Sequence, residues 1–350
     1  MTMPDLRSFS REEMTAFAEN LGLPAYRSLQ IFRQAQKHGV RDFSEMSDLP
    51  LQLRAYLPEA ATLSTPLEIR RQISRTGDTA KLLLEFADDT KIEMALMLYR
   101  RAKARDRATC CVSSQSGCAM GCSFCATALC SDLRNLTAGE IVAQVQAGDA
   151  LARELGFDGV TNIVYMGMGE PLANMDNVHK SILLLNDEQG MDIGARRITV
   201  STCGLVPKIY DMIGWKLQIS LAVSLHAADE EKRRHMMPNA AKYSIKELIQ
   251  ACSDYRDETG RRVTCEYALF KNVNDSIEDA HLLADLLTER DILVNIIPAN
   301  PVPERNIFPS EERTVGAFCS VLDQSGIPWQ LRERRGGDIE AACGQLRRRG

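Results

Sequence analysis

The sequence lacks any long apolar run and any strong excess of charge of one sign. No segment approaches the roughly 18 to 20 apolar residues that a membrane-spanning helix needs. The first residues, MTMPDLRSFSREE, contain no signal-peptide core. We therefore expect a cytoplasmic protein without a membrane partner. The net charge of −5 also argues against a nonspecific nucleic-acid coat.

Cysteine, in contrast, is abundant. The eleven cysteines are an odd number and cluster like metal ligands, which favours a reducing compartment over a secreted disulfide fold. Cys118, Cys122 and Cys125 have CxxxCxxC spacing in one loop. Three such thiolates can hold three irons of a 4Fe-4S cluster and leave the fourth open, whereas a structural zinc site normally closes with four protein ligands. Buried apolar cysteines and half of a zinc site are the alternatives.

Basic residues are concentrated in four short stretches, two of which border cysteines with possible chemical roles. These arginines and lysines are either a solvated surface or a contact for an anionic partner. The stretches contain Arg70, Arg71 and Arg75; Arg100, Arg101, Lys103, Arg105 and Arg107; Arg332, Arg334 and Arg335; and Arg347, Arg348 and Arg349.

The first hundred residues divide into two patterns. Helical spacing predicts a small accessory domain at 1–62, with a capping box from Ser10 to Glu13 and a third helix that ends at Pro58. Residues 63–100 change to a period of two, which predicts a three-stranded β-meander extension. Glu93 lies on the opposite face of its strand from the apolar residues, as a solvated side chain or as a carboxylate directed at a neighbouring site.

From residue 101 to 335, strand, loop and helix alternate. This alternation implies a parallel sheet with right-handed crossovers. We therefore predict an α/β fold, a partial (β/α)6 barrel resembling an incomplete TIM barrel, with a doubly wound sheet as the alternative. The predicted strands are 109–114, 161–166, 197–202, 216–225, 262–269 and 292–297, with a terminal one at 327–332.

Glycines and polar residues recur just after these strands. Because active sites of parallel barrels form at the carboxyl ends of the strands, these loops should meet at one cavity. The loops contain the three spaced cysteines, residues 167–170, 201–204, 224–226 and 272–275, and Asn300.

The tail at 336–350 contains a Cys343–Gly344 pair near arginines, where a thiolate can move between a site and solvent. A tail cysteine without a role is the alternative.

Seven motifs together resemble one family. They are CVSSQSGCAMGCSFC, RNLTAGEI, GMGEPLAN, ITVSTCG, SLHA, VNIIPANP and DIEAACGQL, between about residues 65 and 346. The cysteine loop is similar to that of radical S-adenosylmethionine (SAM) enzymes. The whole set is similar to the RlmN family of 23S rRNA adenine methyltransferases and to its relatives that methylate carbon 8. The resemblance implies a radical SAM barrel whose 4Fe-4S cluster is held by Cys118, Cys122 and Cys125, with two SAM molecules used per turnover.

The resemblance also implies roles for the other site residues. Cys343 matches the cysteine that one SAM methylates and that later joins the enzyme to the adenine. Cys111 matches the resolving thiol, which forms a transient disulfide with Cys343, and Glu93 matches the proton acceptor. A radical route fits carbon 2 of adenine, which is electron-poor and has no acidic hydrogen. The positions that match SAM contacts are Gly169, Glu170, Ser201, Ser224, Leu225, His226 and Asn300.

The implied partners are 23S rRNA, tRNA with adenine 37 as the target, and a low-potential electron donor of the flavodoxin or ferredoxin type, with the enzyme a monomer. Pro171 favours carbon 2, because the carbon 8 branch typically has alanine there. Carbon 8 methylation and a non-catalytic iron-sulfur protein that binds RNA or senses redox state are the alternatives. Ser131 and residues 239–241 depart from the family pattern, and Cys110 and Cys130 are expected to be bystanders.

Overall fold

The computed structural model describes residues 3–102, 104–130, 132–300 and 307–347. Lys103, Ser131, Arg348 and Arg349 lie outside the described residues. Within this part of the chain there are ten α-helices and ten β-strands. The helices are α1 (Arg11–Asn20), α2 (Ala25–Gln36), α3 (Leu51–Ala60), α4 (Ala138–Glu154), α5 (Met175–Asn186), α6 (Val206–Ile213), α7 (Glu230–Met236), α8 (Ile245–Thr259), α9 (Ile277–Leu287) and α10 (Glu312–Gln324). The strands are β1 (Leu67–Ile73), β2 (Thr79–Glu85), β3 (Lys91–Tyr99), β4 (Arg107–Cys111), β5 (Asn162–Tyr165), β6 (Ile198–Thr202), β7 (Ser220–Ser224), β8 (Val263–Leu269), β9 (Leu293–Pro298) and β10 (Trp329–Leu331).

The ten strands form one sheet in chain order, with β1 and β10 at its two edges. β1 to β4 pair antiparallel as a meander, and β4 to β10 pair parallel with their neighbours. The parallel strands are joined by connections that contain helices, as right-handed crossovers require. This confirms the predicted partial barrel with a β-meander extension. No helix among the described residues has the length and apolar character needed to cross a membrane.

The N-terminal helices attach to the barrel through a buried arginine. Arg7 is 2% exposed, and its guanidinium donates to the carbonyl oxygens of Ala35 (3.3 Å) and Val40 (2.8 Å). It also donates to the side chain of Gln146 in α4. A buried charge is stable only when its donors are paired, so this arginine ties α2 and the loop after it to the first helix of the barrel.

The residues after β10 return across the molecule to the antiparallel end of the sheet. We call residues 332–347 the C-terminal segment. Arg335 Nη1 donates to Asp78 Oδ2 and to the carbonyl oxygen of Leu98, both at 3.2 Å. The backbone N–H of Arg75 donates to Asp338 Oδ2 at 2.8 Å. The C-terminal segment therefore connects the end of β10 with the β1–β2 turn and with β3, without forming a strand.

Several element boundaries differ from the sequence predictions: the strand predicted at 109–114 is β4 at Arg107–Cys111, and the one predicted at 327–332 is β10 at Trp329–Leu331. Two other differences have a local physical cause. The predicted third helix continues past Pro58 to Ala60, because a proline in the last turn removes only one intrahelical hydrogen bond. The strand predicted at 216–225 begins at Ser220. Lys216 has a positive φ of 53°, which no strand residue adopts.

Candidate active site

A cavity of about 1610 Å³, counted out to its open mouth, lies at the carboxyl ends of the parallel strands. Glu93 and Leu225 lie outside its lining, and the loop 272–275 belongs to a separate crevice beside Lys232. The predicted site residues that line the cavity are Cys111, Cys118, Cys122, Cys125, Gly169, Glu170, Ser201, Ser224, His226, Asn300 and Cys343.

The cysteine loop is fixed from both sides. The backbone N–H of Ser123 donates to the carbonyl oxygen of Met236 at 2.8 Å. Asn239 Nδ2 donates to the carbonyl oxygen of Ala119 at 2.8 Å. Gly121 has a φ of +68°, a conformation that an L side chain rarely adopts. These contacts hold a tight turn around the cysteines, as their spacing predicted.

The cysteine loop offers three thiols as ligands. Cys118, Cys122 and Cys125 are half-buried free thiols that line one cavity. Three thiolates can bind three irons of a 4Fe-4S cluster and leave the fourth iron open. Burial raises the pKa of Cys118 to about 12, so bound iron must displace its proton.

Glu170 is anchored at the base of the cavity. It is 3% exposed, and its two carboxylate oxygens accept backbone N–H groups from Leu172 (3.0 Å) and Cys203 (2.7 Å). Burial raises its pKa, and these backbone hydrogen bonds oppose the rise. A carboxylate has about four lone-pair positions, so it can still accept from a ligand's ammonium group. Gly169 lets this turn lie close to Gln115, because a Cβ at position 169 would be only 2.6 Å from Gln115 Cβ.

His226 is held as a neutral hydrogen-bond donor. Its Nδ1 accepts the backbone N–H of Ala268 at 3.0 Å, and burial lowers its pKa to about 3. With Nδ1 occupied, the proton lies on Nε2. Its backbone is left-handed, with φ 56°, and Asn274 Nδ2 holds its carbonyl oxygen at 2.6 Å. The imidazole packs edge-on against Phe124, 4.8 Å between ring centroids, which places an aromatic shield beside the cysteine loop.

The other predicted SAM contacts differ in their surroundings. Ser201 Oγ donates to the carbonyl oxygen of Tyr165 at 2.7 Å, so its lone pairs face the cavity. Leu225 is fully buried, and its backbone N–H and carbonyl oxygen are both engaged, with Glu266 and Ala227. Of the turn at 224–226, the flanking Ser224 and His226 therefore reach the cavity, whereas Leu225 packs behind it.

Cys111 and Cys343 come together from distant parts of the sequence. Cys111 ends β4 and is 7% exposed, whereas Cys343 lies in the C-terminal segment. The pKa of Cys111 is raised to about 12, mainly by burial and then by the Cys343 thiolate, against the opposing effect of Arg332. Both cysteines line the same cavity. Cys110 is fully buried on the opposite face of β4.

Glu93 lies beneath the C-terminal segment, beside the cavity. Its carboxylate is 1% exposed and pairs with Lys81 Nζ at 3.1 Å. It also accepts the backbone N–H of Arg347 at 2.9 Å, and Lys81 donates to the carbonyl oxygen of Glu340 at 3.2 Å. Burial raises the pKa of Glu93 to about 7, although Lys81 lowers it. A carboxyl group that titrates near neutrality is suited to proton transfer.

Three contributors were missed by the sequence analysis: Lys81, Asn239 and Arg332. Lys81 lies on the same face of the sheet as Glu93 and diagonal to it, because Lys81 pairs with Ala95 and Glu93 with Leu83; the period of two could have indicated this position. Asn239 belongs to the stretch that departs from the family pattern, and it holds the cysteine loop. Arg332 was one member of a basic stretch, and nothing in the spacing separated it from Arg334.

Comparisons with known proteins agree with this geometry. The chain matches the radical SAM superfamily over residues 112–284 and a ribosomal RNA large subunit methyltransferase N-terminal domain over residues 4–63. A protein of Moorella thermoacetica, described as a probable dual-specificity RNA methyltransferase RlmN, is 45% identical over 99% of this chain and 98% of its own. The counterpart in Clostridium acetobutylicum is 42% identical over 99% and 97%. A crystal structure of a radical SAM methyltransferase from Sphaerobacter thermophilus superposes with a TM-score of 0.93 at 44% identity, covering 98% of this chain and 99% of that one.

Proposed function

Because the chain belongs to the RlmN family of radical SAM methyltransferases, we propose that it methylates carbon 2 of an adenine in 23S rRNA and of adenine 37 in tRNA. The superfamily's cofactors, a 4Fe-4S cluster and SAM, are also those of this chain. The observation that carries the proposal is that Cys111 and Cys343 share the cavity with the three loop cysteines. A cluster protein that only binds RNA or senses redox state has no use for this pair.

The chain's own groups account for each proton and sulfur. Cys118, Cys122 and Cys125 would hold the cluster, and Glu170 would accept the SAM ammonium group. When bound, the cluster would supply the electron that cleaves the second SAM to methionine and a 5′-deoxyadenosyl radical. The Cys343 thiolate would take a methyl group from the first SAM, releasing S-adenosylhomocysteine. That S-bound carbon would give one hydrogen atom to the radical, which leaves as 5′-deoxyadenosine, and would then form a bond to the adenine ring; the unpaired electron of this adduct would return to the oxidised cluster.

Release of the methylated RNA is the last step of the proposed reaction. Glu93 would accept the proton from the ring carbon, and the Cys111 thiolate would attack the Cys343 sulfur. The sulfur–carbon bond then breaks, and its electrons stay on the carbon, which takes a proton and becomes the new methyl group. The two sulfurs are oxidised to a disulfide, so a cellular thiol reductant must restore them. A low-potential flavodoxin or ferredoxin would reduce the cluster, and a monomer in the cytoplasm, where the RNA is, would suffice.

The test compares Cys111→Ala with Cys110→Ala, a matched loss of a thiol on the other face of the same strand. With RNA, SAM and reductant, we expect the first variant to accumulate RNA joined to Cys343, detected by mass spectrometry of its tryptic peptide. The second should release methylated RNA. An unmodified Cys343 in wild type and in Cys111→Ala, with the cluster intact, would overturn the proposal.

Two further measurements separate the alternatives. Mass spectrometry and NMR of the product adenine identify the methylated carbon, and a carbon 8 product would refute the choice of carbon 2. Failure of the reconstituted protein to cleave SAM under strong reduction would favour the non-catalytic iron-sulfur protein.

A further inference from the structure

Arg233 is a buried arginine in the short helix α7, outside the lining of the cavity. It is 1% exposed, and its Nη2 donates to the carbonyl oxygen of Cys203 at 2.6 Å. Its Nε has no hydrogen-bond partner in the described residues. A buried guanidinium that is incompletely paired is costly, and an apolar side chain of similar size would fill the same space at a lower cost. Packing alone therefore does not explain an arginine at this position.

The turn that accepts this hydrogen bond also holds Glu170. The backbone N–H of Cys203 donates to Glu170 Oε2 at 2.7 Å, so Cys203 bonds the arginine through its carbonyl oxygen and the glutamate through its N–H. Gly204 lets the turn lie against the guanidinium, because its φ is +112° and a Cβ there would lie 3.0 Å from Arg233 Nη2. Arg233, Cys203 and Glu170 therefore form a continuous chain of contacts that ends at the cavity.

The same helix also supports the cysteine loop. The carbonyl oxygen of Met236, one turn after Arg233, accepts the backbone N–H of Ser123 at 2.8 Å. Helix α7 therefore contacts two parts of the site that would hold the amino-acid group of SAM. One is the loop that would carry the cluster, and the other is the Glu170 carboxylate, which α7 reaches through Cys203.

We propose that Arg233 is a positioning residue for SAM, which fixes the Glu170 carboxylate relative to the cysteine loop through the backbone of Cys203. Without its guanidinium, the turn after β6 loses this attachment to α7, and the N–H that orients Glu170 Oε2 is no longer held in place. Because Arg233 does not line the cavity, its effect on a ligand passes through Glu170. The inference rests on the proposed function for the role of Glu170 as acceptor of the SAM ammonium group.

The test measures ligand affinity in the full-length protein with a reconstituted cluster and without RNA. Equilibrium dialysis gives the dissociation constants of two nucleosides. S-adenosylhomocysteine has the amino-acid group of SAM but no transferable methyl group, and 5′-methylthioadenosine lacks the amino-acid group. Arg7→Met is the matched control for Arg233→Met, because Arg7 is also a buried arginine that donates to backbone carbonyl oxygens and lies outside the cavity lining.

We expect Arg233→Met to bind S-adenosylhomocysteine about tenfold more weakly, a typical loss when the partner that orients a binding group is removed. Its affinity for methylthioadenosine should equal that of wild type. Arg233→Lys keeps a charged donor and should restore part of the loss, and Arg7→Met should match wild type for both ligands. Arg233→Gln, which is neutral and shorter, is the second variant in case Arg233→Met does not fold.

A double-mutant cycle with Glu170→Gln tests the route. If Arg233 acts through Glu170, Arg233→Met should weaken binding little further in the Glu170→Gln background. Unchanged affinity for S-adenosylhomocysteine, an equal loss for both ligands or fully additive losses in the double variant would overturn the inference. No measurement depends on RNA methylation, so a carbon 8 product or an absence of methylation would refute the proposed function without changing this result.

Discussion

At the scale of single residues, the site depends on charges that are kept out of water. Glu93, Glu170 and Glu266 are each at most 4% exposed, and burial raises the pKa of each carboxyl group. What differs is the partner: a lysine for Glu93, backbone N–H groups for Glu170, and a distant guanidinium for Glu266. The three carboxylates are therefore suited to three different tasks.

Glu93 should make stability depend on pH. The pKa of Glu93 is about 7 in the folded protein, whereas the ordinary value for an exposed glutamate is 4.5. The folded state therefore binds the proton more tightly than the unfolded state. The free energy of unfolding should thus fall as the pH rises from about 4.5 to about 7. Glu93→Gln lacks this carboxyl group, so its stability relative to wild type should improve by up to about 3 kcal/mol over that range.

Urea denaturation at several pH values measures this slope. Glu85→Gln is the control, since Glu85 forms a more exposed ion pair with Lys91. Parallel pH dependences for wild type and Glu93→Gln would contradict the prediction.

Glu93 should also control product release. As a proton acceptor it acts only when ionised, so the rate of release from the RNA adduct should rise with pH through about 7. In Glu93→Gln we expect the adduct to persist at every pH. Single-turnover gel analysis of the adduct checks this, and release from the variant at the wild-type rate would exclude Glu93 as the acceptor.

At the scale of elements, the C-terminal segment is attached by a few specific contacts. Besides Glu93 and Lys81, the backbone N–H of Ala126 donates to the carbonyl oxygen of Gly344 at 2.8 Å. Thr127 Oγ1 donates to that of Leu346 at 2.7 Å. The left-handed φ of Gly344, 78°, turns the chain just after Cys343. The position of Cys343 is therefore set by the residues that directly follow the cysteine loop.

Thr127→Ala should loosen this segment while the barrel stays folded. Losing one buried hydrogen bond removes about 1 kcal/mol, which corresponds to an about fivefold faster exchange of the segment's amide hydrogens. Hydrogen exchange with mass spectrometry of the peptides that cover 336–347 measures the effect. The control is Thr259→Ala at the end of α8, where the hydroxyl donates to Tyr255, and equal exchange in both variants would count against the prediction.

At the scale of the whole molecule, the N-terminal helices are joined to the barrel by several contacts, one of which is centred on the buried Arg7. Replacing Arg7 with Met leaves the carbonyl oxygen of Val40 and the side-chain oxygen of Gln146 without their Arg7 donor, whereas the carbonyl oxygen of Ala35 keeps a donor in Gln146 Nε2. We expect a loss of about 3 kcal/mol. Urea denaturation gives the loss, and hydrogen exchange should show it concentrated in residues 3–62. Arg33→Met, at an arginine whose bond to Gln189 is exposed to solvent, should change little; equal losses would show that Arg7 has no special role.

How much the sequence could predict follows the same scales. The period of two, the βα alternation and the cysteine spacing are local signals, and the strands and the loops at their ends follow from them. The helix predicted to end at Pro58 runs on to Ala60 because a proline in the last turn costs little, and the strand predicted from Lys216 starts later because Lys216 has a positive φ. The contacts of Arg332 and Asn239 depend on residues far away in the chain, which no local pattern encodes. The functional roles of the site residues and the division at residues 62, 100 and 335 stay predictions.

The C-terminal segment is attached to the β1–β2 turn, β2 and β3 by side chains and single hydrogen bonds, not by a strand ladder. A closed ladder can part only by losing a whole row of cooperative backbone hydrogen bonds. These contacts can break one at a time, so a large polymer would reach the cavity beside the C-terminal segment while every strand remains paired. The segment that carries Cys343 would then control access to the cavity and also supply one of the reacting groups.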